Sequence, residues 1–126
     1  MSQHNDVGRI GEDLAREYLE KEGYKIIEQN YKTKYAEIDL VAEKSAGLFM
    51  GPKLVFVEVR TKIGENFGTP EDTLNKGKLY KVLRNAQAYA GFKKWQGACR
   101  IDAVCIVLHP DMSVKRLTHH EDVISG

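Results

Sequence analysis

The chain has 126 residues, of which 42% are hydrophobic and 29% are charged, and its formal net charge is +1. This length fits one domain with a single core, and this composition excludes an intrinsically disordered chain. A membrane-spanning helix is also excluded, because no apolar run approaches the ~20 residues that such a helix needs. The N-terminal sequence lacks the basic and apolar regions of a signal peptide, so the expected location is cytoplasmic, with no membrane partner.

The charges are distributed unevenly along the chain. Residues 60–100 carry nine basic and three acidic side chains, whereas the segments on both sides are net acidic. A basic segment beside a group of carboxylates is typical of a metal-dependent enzyme that acts on phosphodiesters. It is also typical of a solvated helix face, so charge alone leaves nucleic-acid binding as one of two interpretations.

The first predicted element is a helix over residues 6–22, in which apolar residues recur at every third or fourth position. Asp6 is the expected N-cap, and Gly23 is the expected residue just beyond the C-terminus. Glu12 falls on the side of this helix that should pack on the rest of the protein. A carboxylate there either reaches solvent at the boundary or has a specific partner.

Three β-strands are predicted next, over residues 24–31, 35–43 and 53–62. The loop between the last two contains glycine and is longer than a minimal hairpin turn. The second strand carries two carboxylates inside an apolar run. Because side chains alternate between the faces of a strand, we expect Glu37 and Asp39 on one face.

Ile38 and Leu40, which alternate with these two carboxylates, are expected together on the other face of the second strand. The third strand should place Glu58 and Arg60 on one face, opposite its valines. If the two strands pair, Asp39 and Glu58 converge at neighbouring strand ends.

An ionised carboxylate in an apolar strand is costly unless it is paired or binds a cation. Magnesium prefers carboxylate oxygens among protein ligands, so a metal site is one interpretation of Asp39 and Glu58. In the other interpretation, Glu58 and Arg60 are ordinary polar residues on a solvated sheet face.

A second helix is predicted over residues 71–91, with Pro70 at its beginning, followed by a fourth strand over residues 98–108. Residues 114–117 form a short edge strand. The order helix, three strands, helix, strand predicts an α/β fold (α+β, with a mixed sheet) in which helices pack on the sheet. All of it belongs to one domain, residues 1–126.

One carboxylate on a strand, followed by Glu-x-basic on the next strand, is the core motif of the PD-(D/E)XK nuclease superfamily. Further motifs accompany it, in the order Gly8-Arg-Ile-Gly-Glu12, Glu37-Ile-Asp39-Leu-Val-Ala42, Phe56-Val-Glu58-Val-Arg60-Thr61, Phe67-Gly68-Thr-Pro70 and Arg100-Ile-Asp102-Ala-Val104. Together they resemble the small bacterial UPF0102/YraN family over residues 7–108. That family is similar to archaeal Holliday junction resolvases, and the resemblance implies a restriction-endonuclease-like fold.

The resemblance also implies the catalytic residues. Asp39 and Glu58 match the metal-binding carboxylates of the superfamily, and Glu12 matches the first-helix glutamate that completes the metal site. Arg60 stands at the position of the catalytic lysine. Because an arginine stays protonated, Arg60 is expected to stabilise charge rather than to act as a base.

Other positions match the family pattern with less direct roles. Glu37 and Lys78 are expected near the site. Asp102 is a candidate for the outer layer of the site. Its expected role is structural, through pairing with Arg100 or Arg60.

The expected function is that of a Mg²⁺- or Mn²⁺-dependent endonuclease acting on DNA rather than RNA, including branched DNA in repair or recombination. Backbone contacts are expected from the basic residues Lys62, Lys76, Lys78, Lys81 and Arg84. The two-fold substrates of junction resolvases imply a homodimer. The alternatives are a non-catalytic nucleic-acid-binding module with the same fold and a protein-interaction scaffold.

Overall fold

The structure, a computed structural model, describes residues 3–34 and 36–124, with side chains from Asp6 onward. The predicted start of the second strand, Tyr35, lies outside the described residues. The elements, in chain order, are α1 (Gln3–Lys21), β1 (Lys25–Lys32), β2 (Glu37–Lys44), β3 (Lys53–Ile63), a short 3₁₀ helix (Pro70–Thr73), α2 (Lys76–Phe92), β4 (Cys99–Leu108) and β5 (Val114–His120). The predicted α/β class is confirmed, and none of the described helices has the length and apolar character needed to cross a membrane.

The five strands form one mixed sheet in the order β1-β2-β3-β4-β5. The first three strands pair antiparallel, β3 and β4 pair in parallel, and β5 returns antiparallel to β4. A parallel pair needs a crossover connection, which α2 supplies here. The edge strand β5 reaches His120 and is therefore longer than the predicted residues 114–117.

The two helices cover opposite faces of the sheet. On one face, Leu19 of α1 packs in a cluster with Val57 of β3. On the other face, Tyr89 of α2 packs in a second cluster with Phe56, the neighbour of Val57 in sequence. Alternating residues of the buried central strands therefore supply both cores, which is why these strands are apolar in nearly every position.

The boundaries of α1 differ from the prediction at both ends. The helix begins at Gln3, so Asp6 lies in its first turn and is not the N-cap. At the other end, α1 finishes at Lys21, one residue before the predicted end, and the predicted role of Gly23 beyond the C-terminus is confirmed: its φ is 90°, and Tyr24 N donates to Leu19 O. Glycine adopts this left-handed conformation without steric cost.

The helix predicted from residue 71 consists of two separate elements. Thr69 and Asp72 form a capping box on the 3₁₀ helix, in which each side chain accepts from the backbone N–H of the other. Leu74 is then extended, and Asn75 caps α2 through its side chain. The two caps, at Thr69 and Asn75, each accept a hydrogen bond from a free backbone N–H at the beginning of a helix. This local hydrogen bonding interrupts the predicted long helix.

Strand β2 departs from regular alternation at Asp39. Ile38 packs in the cluster beneath α2, whereas Leu40 packs in the cluster beneath α1. The expectation that these two residues share a face is therefore wrong. Regular pairing of β2 with β3 runs from Lys44 to Leu40, and beyond it the side chain of Asp39 accepts a hydrogen bond from Val59 N at 2.8 Å. This irregularity directs the Asp39 carboxylate toward β3.

Candidate active site

Four carboxylates converge where β2 leaves its regular pairing with β3. Side-chain oxygens of Glu12, Glu37 and Asp39 all lie within 4.8 Å of one another. Glu58 on β3 is close enough for its negative charge to raise the pKa of Asp39. The fold thus brings together Glu12, Glu37, Asp39 and Glu58, four of the carboxylates that the sequence nominated.

Glu12 reaches this cluster because α1 crosses β3 at unusually close range. A Cβ atom at Gly11 would lie 1.8 Å from Thr61 Oγ1 and 2.8 Å from Thr61 Cβ. No side chain fits in that space, so Gly11 sets the distance between helix and sheet. The neighbouring Glu12 is held at the sheet surface as a consequence.

The Asp39 carboxyl group is fixed and strongly perturbed. Its Oδ2 accepts from the backbone N–H of Val59. Burial and, next, the negative charge of Glu58 raise the pKa of Asp39 to about 8. The hydrogen bond from Val59 acts in the opposite direction but does not offset these effects. Positive charge brought close to Asp39 would favour its ionised form.

Glu58 is paired at one oxygen only. The residue is 8% exposed, and its Oε1 lies 2.8 Å from Nη2 of Arg60. Its Oε2 is buried without a hydrogen-bond partner among the described residues, as is Nε of Arg60. Burial raises the pKa of Glu58, while the charges of Arg60 and Lys78 lower it. A buried carboxylate oxygen of this kind is normally satisfied by water or an ion.

Asn30 is a site residue that the sequence reasoning missed. With its amide nitrogen facing the carboxylates, Nδ2 donates to Glu37 Oε1 at 2.9 Å and to Glu12 Oε1 at 3.0 Å. Its φ of 55° is left-handed, a conformation that asparagine adopts more readily than most residues. The pair Gln29-Asn30 at the end of a β-prone run was a signal for a bend, but only the fold places that bend beside the site.

Glu12 completes the electrostatics of the cluster. Burial and then the charge of Glu37 raise the pKa of Glu12, while the hydrogen bond from Asn30 lowers it. Glu12, Asp39 and Glu58 have raised pKa values, because burial and the neighbouring negative charges disfavour their ionised forms. An all-oxygen donor set with excess negative charge fits a hard divalent cation such as Mg²⁺ or Mn²⁺.

The basic residues named by the sequence lie on two surfaces. Lys62 and Arg60 line a cleft of about 700 Å³ between α1 and the loop that follows β3. Lys78, in the first turn of α2, is near enough to Glu58 to lower its pKa. The other three are exposed on α2 and lie outside the cluster of described carboxylates, namely Lys76, Lys81 and Arg84.

Asp102 lies apart from the four carboxylates. It is fully buried, and Arg100 donates to both of its oxygens at 2.7 and 2.8 Å. His119 on β5 lies 2.8 Å from Asp102 Oδ2. The predicted pairing with Arg100 is confirmed and the alternative with Arg60 is wrong, because Arg60 points to the opposite face and pairs with Glu58. Asp102 therefore joins β4 to β5 and does not support the site.

Comparison with known proteins agrees with the sequence patterns. The profile of the "Uncharacterised protein family UPF0102" matches residues 11–106, which include all four clustered carboxylates. A UPF0102 protein of Caldanaerobacter subterraneus subsp. tengcongensis is 38% identical over 117 residues, covering 90% of this chain and 89% of that protein. One from Flavobacterium johnsoniae is 40% identical, covering 75% and 72% of the two chains. One from Chlorobium chlorochromatii is 38% identical, covering 82% and 76%. The chain therefore belongs to the UPF0102 family.

Proposed function

We propose that the protein is a divalent-metal-dependent nuclease that hydrolyses phosphodiester bonds in DNA. The observation that carries the proposal is the cluster of four carboxylates, of which Glu58 is buried, Glu12 and Asp39 are half-buried and Glu37 is exposed. Glu58 Oε2 has no hydrogen-bond partner among the described residues, and Arg60 pairs with Oε1. The choice of DNA follows the resemblance to junction resolvases. A homodimer would suit a two-fold substrate of that kind.

Asp39 and Glu58 are the proposed ligands of the cation, with Glu12 and Glu37 completing the donor set. When bound, Mg²⁺ or Mn²⁺ would polarise the scissile phosphate and lower the pKa of a bound water. Val59 keeps Asp39 oriented through its backbone N–H, and Asn30 does the same for the two glutamates. These contacts supply the fixed orientation that an effective ligand set needs.

Arg60 supplies positive charge beside the carboxylates. Its contact with Glu58 at 2.8 Å holds the guanidinium group at the cleft. Because an arginine cannot lose its proton at neutral pH, Arg60 would bind the phosphate and stabilise the charge that develops on it. The proton of the attacking water must therefore pass to another acceptor, and a clustered carboxylate is the available class of base.

A cleavage assay tests the proposal. Labelled linear, flapped and four-way-junction DNA are incubated with EDTA, Mg²⁺ or Mn²⁺, using wild-type protein and Asp39→Asn. The asparagine oxygen can still accept from Val59 N–H, whereas alanine would leave that buried donor unpaired at a cost of about 1–3 kcal/mol. We expect metal-dependent cleavage that falls at least ~100-fold in Asp39→Asn, on the scale typical of a lost catalytic ligand.

The matched control is Asp111→Asn, which makes the same chemical change in the turn between β4 and β5. There the asparagine oxygen can replace the carboxylate oxygen that accepts from Ser113 N at 3.0 Å. This variant should cleave like wild type. Cleavage that persists in EDTA, or that survives in Asp39→Asn, contradicts the proposed function.

A second function is favoured by the arginine at position 60. The ion pair with Glu58 holds the guanidinium group of Arg60 in place, and an arginine cannot act as a neutral base, which suits a module that binds nucleic acid without cleaving it. Such a module binds DNA with an affinity that falls linearly with salt on logarithmic axes. Neutralising Lys76, Lys81 and Arg84 should then weaken binding and reduce the salt dependence, while no metal ion supports cleavage.

A further inference from the structure

The side chain of Phe67 is almost completely exposed beside the candidate site. Phe67 has a relative exposure of 97% and lies in the loop between β3 and the 3₁₀ helix. A single exposed hydrophobic residue is common on protein surfaces and carries no conclusion alone. Its loop and its neighbours give this one a specific meaning.

Contacts just before Phe67 fix its loop to the two neighbouring strands β4 and β5. Gly64 N donates to Leu108 O at 3.0 Å, and Glu65 pairs with Arg116 of β5 at 3.1 Å. Gly68, directly after Phe67, has a φ of 113°, a conformation that L side chains rarely adopt. These contacts fix the backbone of the loop, and the phenyl ring belongs to neither apolar cluster. An aromatic ring held in this way is prepared to meet a partner from outside the chain.

The surroundings of Phe67 indicate what that partner is. Phe67 lines the same cleft as Glu12, Arg60 and Lys62. The ammonium group of Lys62 is adjacent, since a Cβ atom at Gly68 would lie 3.7 Å from Lys62 Nζ. One cleft thus offers an aromatic face, two cations and a member of the carboxylate cluster. A nucleotide presents the complementary groups, which are a flat base and a phosphate.

We propose that Phe67 stacks on an unpaired base of the DNA strand whose phosphate lies at the carboxylate cluster. The proposal rests on the proposed nuclease function and specifies its substrate. Bases inside a duplex already stack on both sides and offer no free face to an aromatic ring. The site would therefore favour single strands, flaps and the unpaired nucleotides of branched DNA over continuous duplex.

Binding in EDTA tests this inference without cleavage. A single-stranded oligonucleotide containing 2-aminopurine is titrated with the protein, because fluorescence of this base changes when it stacks, and binding is followed by anisotropy. Phe67→Ala should bind the single strand roughly 5- to 100-fold more weakly, equivalent to about 1–3 kcal/mol per stacked base. It should also lose the fluorescence change and bind blunt duplex as wild type does.

Two further variants separate stacking from general effects. Phe67→Tyr keeps the ring and should retain wild-type binding. Phe49→Ala removes a ring of the same exposure, 95%, from the loop between β2 and β3, and should have no effect. An equal loss on single strand and duplex, or no loss in Phe67→Ala, overturns the inference. So does a change in oligomeric state without a change in binding, which would assign Phe67 to a subunit contact.

The outcomes also distinguish this inference from the function on which it rests. If wild-type protein binds single strands through Phe67 but never cuts them, the nuclease proposal fails and the stacking contact stands. If the protein cuts DNA and Phe67→Ala binds single strands as wild type does, the stacking contact fails and the nuclease proposal stands.

Discussion

The carboxylate cluster should make the metal-free protein less stable as the pH rises. Burial and the charge of Glu58 raise the pKa of Asp39 from 3.8 to about 8 in the folded protein. A carboxyl group with a raised pKa keeps a proton that the unfolded chain has already released. The free energy of unfolding therefore decreases with increasing pH between these two values.

The size of this decrease in the free energy of unfolding follows from the one proton that Asp39 keeps in the folded protein. It corresponds to about 1.4 kcal/mol per pH unit, or roughly 2–3 kcal/mol between pH 5 and pH 7. For a chain of this length, that is a fall in Tm of roughly 8–13 °C. Asp39→Asn removes this titration but keeps an acceptor for Val59 N–H. Its Tm should decline less than that of wild type over the interval, with the remaining decline due to the raised pKa values of Glu12 and Glu58, and should exceed that of wild type at pH 7.

Carboxyl groups whose pKa values are lowered in the folded protein do not obscure this decline in stability between pH 5 and pH 7. Hydrogen bonds from Arg116 lower the pKa of Glu71 to about 2. Despite its burial, Asp102 also has a lowered pKa, because His119 and Arg100 bind its charged form. Stabilisation from such groups is complete above their ordinary pKa values and is lost only on acidification below about pH 5.

The assay is thermal unfolding followed by circular dichroism in EDTA at pH 5, 6 and 7. Wild type, Asp39→Asn and the surface control Asp111→Asn are compared at constant ionic strength. Wild type and Asp111→Asn should show the same decline. If Asp39→Asn declines in parallel with them, Asp39 does not hold the proton and the reasoning about its environment is refuted.

Two further substitutions test contacts on the face of the sheet that α1 covers. Gly11→Ala should lower the free energy of unfolding by about 1–3 kcal/mol in urea, because the new methyl group would meet Thr61. Gly8→Ala, with open space around its Cβ, should instead be neutral or stabilising by up to about 1 kcal/mol, and equal effects would contradict the close crossing. Asp102→Ala removes the buried carboxylate that pairs with Arg100 and leaves the exposed Glu121 as the remaining carboxylate beside that guanidinium among the described residues, so it should lower the free energy of unfolding by about 3–5 kcal/mol. A loss below about 1 kcal/mol would show that the pair is dispensable.

Local sequence patterns predicted the secondary structure correctly where the surrounding core favours the same conformation. Strand β3 begins at the predicted residue and ends one residue later, because its apolar, β-branched run is buried on both faces. Motif order identified the family, and strand pairing predicted that Asp39 and Glu58 would approach each other. The alternation of side chains along the strand was sufficient to predict that Glu58 and Arg60 share a face.

Other features depend on contacts that no local pattern contains. The reversal of Ile38 relative to Leu40 arises where Asp39 bonds the backbone of the neighbouring strand. Asn30 joins the site because a bend after β-prone residues happens to face α1. Sequence reasoning therefore nominated Glu12, Glu37, Asp39 and Glu58 correctly as neighbours, while their fixed orientation came from tertiary contacts.

One sheet contains two kinds of buried carboxylate, and the difference between them argues for function. Asp102 is a structural group, since Arg100, His119 and a backbone N–H satisfy both of its oxygens and its pKa is lowered. Asp39, which is half-buried, and Glu58, which is buried, lie among like charges, and their pKa values are raised. Folding alone would favour the first arrangement, because unpaired buried charge destabilises a protein. A cluster that opposes stability in the metal-free protein is expected where a bound cation and a substrate supply the missing interactions.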